Sequence, residues 1–358
     1  MTIFTFNVIK IFSLFAFSAI LSMVLSPWVI KLLHGIKFWK KEARKKTITG
    51  EDANIVYELH KDREMAVPRG GGLTVWVSVV IIVLLFWIIS FWPKNWWMER
   101  LNFLSRSETW LPFFTLIAAS IVGFFDDFIQ VFGKGKYVGG GMTFARRFFI
   151  VTIIGLVGGW WFYQKLGWDT IHIPLILNFP GGIDLFIGFW YIPLFIIVML
   201  ASWAGGVIDG LDGLAGGVFT SIFGAFTVIA FSQGKIELAS FCAVVAGTLF
   251  AFLWFNIPPA RFYMGETGIL GLTSTMAVVS FLTDSVAVLP IIAGLLVLEV
   301  GSIIIQLISK RFLNKKIFIA TPIHHHFEAK GWTPCEITMR FWIIGVVLAI
   351  VGIAIRLL

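Results

Sequence analysis

Two neighbouring acids, Asp126 and Asp127, close an apolar run that reads LPFFTLIAASIVGFFDDF. Acids at the edge of hydrocarbon are costly and are kept there mainly for function. Side by side they repel each other unless a cation or a shared proton relieves them. Oxygen-rich, doubly negative surroundings of this kind suit Mg2+. Three further polar groups interrupt similarly apolar stretches. Asp209 and Asp212 lie in GGVIDGLDGLAGG; their spacing of three would put them on one face of a helix, while the glycines weaken a helix and let backbone N–H groups approach a phosphate or a base edge. Asn256, Tyr263 and Glu266 lie in FNIPPARFYMGETG, where Glu266 offers a further carboxylate to a cation. His324, His325 and His326 lie in ATPIHHHFEAKGW. Consecutive side chains diverge and no HExxH is present, so the histidines suit hydrogen bonding to an anionic ligand better than joint ligation of a metal.

Each group has a plainer reading. The acid pair would be a solvated helix end, although acids at a helix C-terminus oppose the macrodipole. The DGLDG stretch would be a glycine-rich turn, Glu266 a first-turn acid favoured by the dipole, and the histidines a polar loop. Arg69 in VPRGGG, and Lys134, Lys136, Arg146 and Arg147 after the acid pair, would be membrane-side anchors, one or two of which also neutralise phosphate. Glu299, inside the apolar run LLVLEVGS, has no chemistry assigned from sequence.

The elements that must position these residues are transmembrane helices. The chain has 358 residues, 58% hydrophobic and only 13% charged. Continuous apolar stretches of about 20 residues recur, long enough to cross hydrocarbon, and they lack the alternation of a β-barrel. The fold class is therefore an all-α polytopic membrane protein with about ten spans, near 9–33, 71–93, 109–125, 147–164, 185–203, 213–232, 238–255, 267–284, 287–308 and 341–357, in one integral domain over 1–358. The first run is too long for a signal peptide and lacks a small-x-small cleavage site, so it reads as a retained helix. IHIPLILNFPGGID, before the fifth span, reads as a short interfacial element. No internal repeat suggests an inverted-repeat transporter. Cys242 and Cys335 form no framework and read as reduced and structural.

Of the 28 basic residues, 21 fall in the loops after spans 1, 3, 5, 7 and 9, ten of them in residues 31–69. The positive-inside rule places those loops in the cytoplasm and both termini outside. Every polar group named above falls on that cytoplasmic side, apart from Glu299. The formal net charge of +8 then reflects loops that face anionic lipid, not a nucleic-acid partner. A secondary transporter would carry its acids near the midplane, and these lie at helix ends.

Taken together, DD after span 3, DGLDGLAGG after span 5, FN…MGE after span 7 and the histidine loop after span 9 resemble the polyprenyl-phosphate N-acetylhexosamine-1-phosphate transferases. TPIHHHFEAKG followed by a final span is most similar to their bacterial phospho-MurNAc-pentapeptide translocase branch. The resemblance covers most of the chain. It implies a ten-helix homodimer of the bacterial plasma membrane with a cytoplasmic Mg2+ cleft. It also implies UDP-MurNAc-pentapeptide and undecaprenyl phosphate as substrates, with lipid I and UMP as products. By motif, Asp126 and Asp127 match the essential acid pair, Asp209 the first acid of the second motif, and Glu266 a metal-binding acid. Gly210, Leu211 and Asp212 match the uracil-contacting stretch, and the three histidines match the HHH motif. Asp209 and Glu266 are then the expected metal ligands. Asp126, Asp127, Asp209, Glu266 and the histidines are the expected catalytic set. Asn256, Tyr263, Lys134, Arg147 and Arg69 are the remaining expected substrate contacts. The chain departs from the pattern at Gly206, where an Asn is usual, and at Glu266, where an Asp is usual. VPRGGG looks more like the GlcNAc-1-phosphate transferases, so UDP-GlcNAc is the alternative donor.

Overall fold

The structure, a computed structural model, describes residues 2–40, 67–91, 96–105, 108–133, 141–174 and 181–358. Among these, nine helices are long and apolar enough to cross a membrane. The chain begins with α1 (Ile3–Gly35), whose first turn is capped by the Thr2 hydroxyl accepting from Thr5 N–H. Then come α2 (Gly72–Ile89), the short α3 (Trp96–Leu101), α4 (Trp110–Phe132) and α5 (Phe144–Trp160), which continues into a π-helical turn at Trp161–Lys165. A hairpin of β1 (Thr170–Ile173) and β2 (Ile183–Phe186) follows, with Thr170 opposite Phe186 and Ile173 opposite Ile183. It occupies the stretch expected to be interfacial, and His172 Nδ1 lies 2.9 Å from Asp184 Oδ1 directly across the strands.

The second half contains α6 (Tyr191–Ala204), α7 (Leu214–Ser232), α8 (Ile236–Asn256) and α9 (Gly265–Leu282). The span expected at 287–308 is instead two helices, α10 (Leu289–Ile292) and α11 (Gly294–Leu313), separated at Ala293. With Glu299, Lys310 and Arg311 on it, α11 is too polar to count among the nine, although the two cations sit in its last turn, where the dipole favours them. The chain closes with α12 (Ile323–Ala329) and α13 (Pro334–Leu357). A reciprocal Thr333–Glu336 capping box with Pro334 in its first turn starts α13 sharply.

Burial follows composition. α8 and α9 are enclosed almost throughout, whereas α1 and α5 bury only a minority of their residues, as lipid-facing helices do. The enclosed pair is rich in Ala, Ser, Thr and Gly, which lets neighbouring helices approach closely. Aromatic rings fill the opposite end of the core, where Phe195 stacks on Phe281 with centroids 4.3 Å apart and Phe162 packs against both Phe195 and Trp168. Cys242 is buried in α8 and Cys335 is exposed; both are free.

Candidate functional site

The acid pair lies within α4, not beyond it. Phe128, Ile129, Val131 and Phe132 prolong the apolar pattern, so the helix runs to Phe132 and carries Asp126 and Asp127 in its last two turns. Gly123 and Asp127, one turn apart, both face the start of α9. A Cβ on Gly123 would overlap the Glu266 carbonyl oxygen, so the bare glycine is what admits α9 this closely. Asp127 is fully buried. Its Oδ2 accepts from Thr267 N–H at 2.9 Å and Thr267 Oγ1–H at 2.7 Å, and its Oδ1 accepts from Glu266 N–H at 3.2 Å. Those N–H groups belong to the first turn of α9 and have no acceptor within their own helix. Asp127 is thus an N-terminal cap supplied by a different helix, and it fixes where Glu266 stands.

Asp126 faces the segment before α5. Met142 N–H donates to Asp126 Oδ1. The guanidinium of Arg147 is forked, with Nη2 at 2.7 Å from Asp126 Oδ2 and Nη1 at 2.7 Å from Glu266 Oε1. Arg147 is aimed from the first turn of α5, whose N-cap Thr143 accepts from Arg146 N–H. Arg69 approaches from the other side. Its Nη1 donates to Gln130 Oε1 at 2.7 Å and lies 4.0 Å from Asp127 Oδ1. The chain around Arg69 is tied to the segment before α9, with Tyr263 N–H donating to Pro68 O and Gly71 N–H to Tyr263 O.

Asp209 and Asp212 do not share a helical face. A 3-10 turn, Gly205–Ile208, ends at Asp209, whose ψ of 54° leaves helical geometry. Gly213, at φ 76°, then turns the chain into α7 in a conformation that favours glycine. The two carboxylates consequently diverge. Asp209 Oδ2 accepts from Gly265 N–H at 3.1 Å, immediately before Glu266, while Asp212 Oδ2 accepts from Ala260 N–H at 3.1 Å. Asn256 braces this loop: its Oδ1 accepts from Gly213 N–H at 3.0 Å and its Nδ2–H donates to Phe262 O at 2.9 Å. From α13, Thr338 Oγ1–H donates to Asp212 O at 3.0 Å and Trp342 Nε1–H to Gly213 O at 3.1 Å. Gly210 and Leu211 lie between the two acids, and Leu211 is buried.

The three histidines occupy α12, and their rings take separate partners. His324 Nδ1 lies 2.9 Å from Glu299 Oε2, and His325 Nδ1 lies 2.6 Å from Glu328 Oε2. His326 Nδ1 accepts from Ile319 N–H at 3.1 Å. Burial and the neighbouring Lys330 hold the His326 imidazole below its ordinary value. Of the three, His324 reaches the DGLDG loop, against Gly210.

The structure thus gathers Asp126, Asp127, Asp209, Glu266, Arg69 and Arg147 around the start of α9, with the DGLDG loop and His324 alongside. Lys134 lies outside the described residues. Four carboxylates face two guanidiniums, and the imbalance is felt at Asp209. Burial pushes its carboxyl up to about 6, with Asp127 and Asp212 pushing the same way against Arg69 and the Gly265 N–H. Among the described residues no three carboxylate, imidazole or thiol groups converge as a ready-made metal cage. Two neighbouring carboxylates in an under-neutralised site still fit a divalent ion that takes its remaining ligands from water and substrate phosphate.

Thr267, Gln130, Thr338 and Trp342 were not singled out from sequence. Thr267 directly follows MGE, a signal that was at hand. The other three have none, because their role is to hold residues distant in the chain.

The family model described as glycosyl transferase family 4 matches residues 109–284. The chain is 34% identical over 343 residues to the phospho-N-acetylmuramoyl-pentapeptide-transferase of Geobacillus sp. (strain WCH70), covering 95% of each. It is 34% identical over 295 residues to that of Lactiplantibacillus plantarum, covering 82% of this chain and 85% of the relative. It is 32% identical over 349 residues to that of Pelobacter propionicus, covering 92% and 88%.

Proposed function

The chain belongs to the phospho-N-acetylmuramoyl-pentapeptide-transferase family, and from that premise we propose that it moves phospho-MurNAc-pentapeptide from its UDP carrier to undecaprenyl phosphate at the cytoplasmic face of a bacterial plasma membrane. The products are lipid I and UMP. The observation that carries the reading is the lacing of the acid pair, the DGLDG loop and Glu266 around one helix start, through Asp127 to Thr267 and Asp209 to Gly265.

In the reaction, an oxygen of the lipid phosphate attacks the sugar-linked β-phosphorus. A new P–O bond forms, the bond to the bridging oxygen breaks, and UMP takes the electron pair. Catalysis of this kind is mainly positioning and charge neutralisation. Asp209 and Glu266 are the carboxylates that would hold Mg2+, which, when bound, neutralises charge on the diphosphate and the leaving UMP. Arg147 sets the orientation of Glu266 and Asp126 through its fork. Arg69, at the mouth of the site, offers a guanidinium to phosphate. Asp126 is the acid placed to orient the lipid phosphate. That phosphate is already mostly dianionic at neutral pH, so it needs placement more than deprotonation. Asp127 acts by seating α9. Gly210, Leu211 and Asp212 offer backbone and carboxylate to uracil; Tyr263, tied by its backbone to Pro68 and Gly71, is a further substrate contact, and Asn256 serves through the loop it braces. The protein works as a homodimer with both termini outside.

The direct test is UMP release by purified protein with Mg2+ and polyprenyl phosphate, given each donor in turn. UMP from UDP-MurNAc-pentapeptide is the expected result. UMP from UDP-GlcNAc alone would move the chain to the reading that VPRGGG favours, and UMP from neither would end the enzyme reading.

The raised Asp209 carboxyl gives a pH dependence with a definite sign. A buried acid whose value rises on folding holds its proton more tightly folded than unfolded. It therefore costs stability above the folded value, and that cost disappears as the pH falls below the ordinary carboxylate value. A divalent ion binds the charged form and competes with the proton. The rise in Tm produced by a fixed Mg2+ concentration should thus be largest near about pH 7.5 and shrink as the pH falls through about 6. Equal Mg2+ shifts at about pH 7.5 and about pH 5 would remove Asp209 from the ligand set.

A further inference from the structure

Among the described residues, Glu299 is a fully buried acid that the reaction above leaves unused, and it sits on α11, just beyond the break at Ala293. Its Oε2 lies 2.9 Å from His324 Nδ1, and neither side chain has any exposed surface. Its other oxygen, Oε1, has no hydrogen-bond partner, and neither does His324 Nε2. An acid and an imidazole enclosed together with one unmet polar atom each are expensive unless something meets the unmet atoms. His324 Nε2 is directed at the DGLDG loop: a Cβ built on Gly210 would collide with it. Asp209, Gly210, Leu211 and Asp212 form that loop, and α11 packs on the 3-10 turn that feeds it.

We propose that Glu299 is a positioning residue: it holds the His324 ring by Nδ1, so that Nε2 alone is presented at Gly210 to hydrogen-bond the diphosphate of the bound nucleotide. The inference deepens the reading under "Proposed function" and rests on it for the class of ligand. With Nδ1 committed to a carboxylate, the ring cannot rotate or exchange its two nitrogens, which is how a partner carboxylate fixes an imidazole elsewhere in catalysis. When Nε2–H donates to a phosphate oxygen, the ring carries both protons. The Glu299 carboxylate then supplies the opposite charge inside an apolar surround, a role that an uncharged amide of the same shape cannot fill. Gly210 is required at its position because a Cβ there would collide with Nε2 and push the ring away from the loop. Of the three rings it is His324 that lies against Gly210; His325 Nδ1 engages Glu328 and His326 Nδ1 accepts from the Ile319 N–H.

The test is a double-mutant cycle on nucleotide binding, read without turnover so that it stands apart from the donor assay. The full-length protein in detergent with Mg2+ is titrated with UDP, with no lipid acceptor present. Glu299→Gln and His324→Ala should each raise the Kd for UDP about tenfold, and the double variant should be no weaker than His324→Ala alone. Unchanged Tm in Glu299→Gln, which keeps shape and volume, separates positioning from folding. Should that variant unfold, Glu299→Asp, which keeps the charge but draws it back, carries the same comparison against His324→Ala. A Kd within about twofold of wild type for the Glu299 variant, losses that add in the double variant, or no UDP binding by the wild type would each overturn the proposal. UMP release in the donor assay, scored separately, decides the reading on which it rests.

Discussion

Asp127→Asn should lower turnover by on the order of 100-fold or more and should also lower the Tm. The carboxylate accepts from Thr267 N–H, Thr267 Oγ1–H and Glu266 N–H. An asparagine offers one oxygen to these three donors and turns an NH2 group on the rest, donor against donor. Each buried group left unmet costs about 1–3 kcal/mol. The cheapest relief is for the first turn of α9 to move away, and Glu266 moves with it. Displacements of about 1 Å are enough for losses of this size where catalysis is mainly positional. Asp126→Asn makes the contrast, because its partners are Arg147 and Met142 rather than a helix start. It should lose turnover with a much smaller change in Tm. UMP release and thermal unfolding, measured on both variants, check the pair. Equal Tm values for Asp127→Asn and wild type would show that the cap does not hold α9 in place.

Glu266→Gln should be the most damaging conservative change at the site, costing on the order of 1,000-fold in turnover and most of the dependence on Mg2+. It leaves the Glu266 N–H bond to Asp127 intact and changes one oxygen to NH2. That NH2 can meet Arg147 only donor to donor, and it cannot ligate a hard cation. Glu266→Asp keeps the charge and shortens the reach by one methylene, giving the residue usual in the resembling family. Its activity should stay within about tenfold of wild type, with the half-saturating Mg2+ shifted. Steady-state UMP release across a Mg2+ titration distinguishes the two. A Gln variant with an unchanged Mg2+ curve would remove Glu266 from the ion.

Much of this site was legible in the chain. The positive-inside count, on Lys and Arg alone, puts every motif but Glu299 on one side, and the structure brings at least one residue of each to the start of α9 or to the DGLDG loop beside it. Apolar runs of the right length fixed the class and nearly all the spans, because in lipid a helix must satisfy its own backbone. Three sequence expectations differ from the structure. Charge usually ends a span, so the sequence predicts Asp126 and Asp127 just beyond span 3; α4 instead runs on to Phe132 with both inside it, and α9 supplies donors for Asp127. The shared face assigned to Asp209 and Asp212 assumed a helix, which the chain leaves at Asp209, where ψ is 54°. The span at 287–308 is broken at Ala293, where periodicity gives no warning, and Glu299 is tolerated beyond the break because His324 meets it. For the acid pair and for Glu299 the deciding partner lies far off in sequence.

The clamp on the DGLDG loop carries a consequence for biosynthesis. Thr338 and Trp342 bind the carbonyls of Asp212 and Gly213 across 126 and 129 residues of chain. While a ribosome feeds the helices into the membrane one after another, the acids of this loop are in place long before their clamp has been made. A nascent protein with α1 to α11 inserted has its carboxylates but not the shape that aims them. Competence to use a costly nucleotide-linked precursor therefore arrives with the last helix, so interrupted translation products stay silent in the membrane.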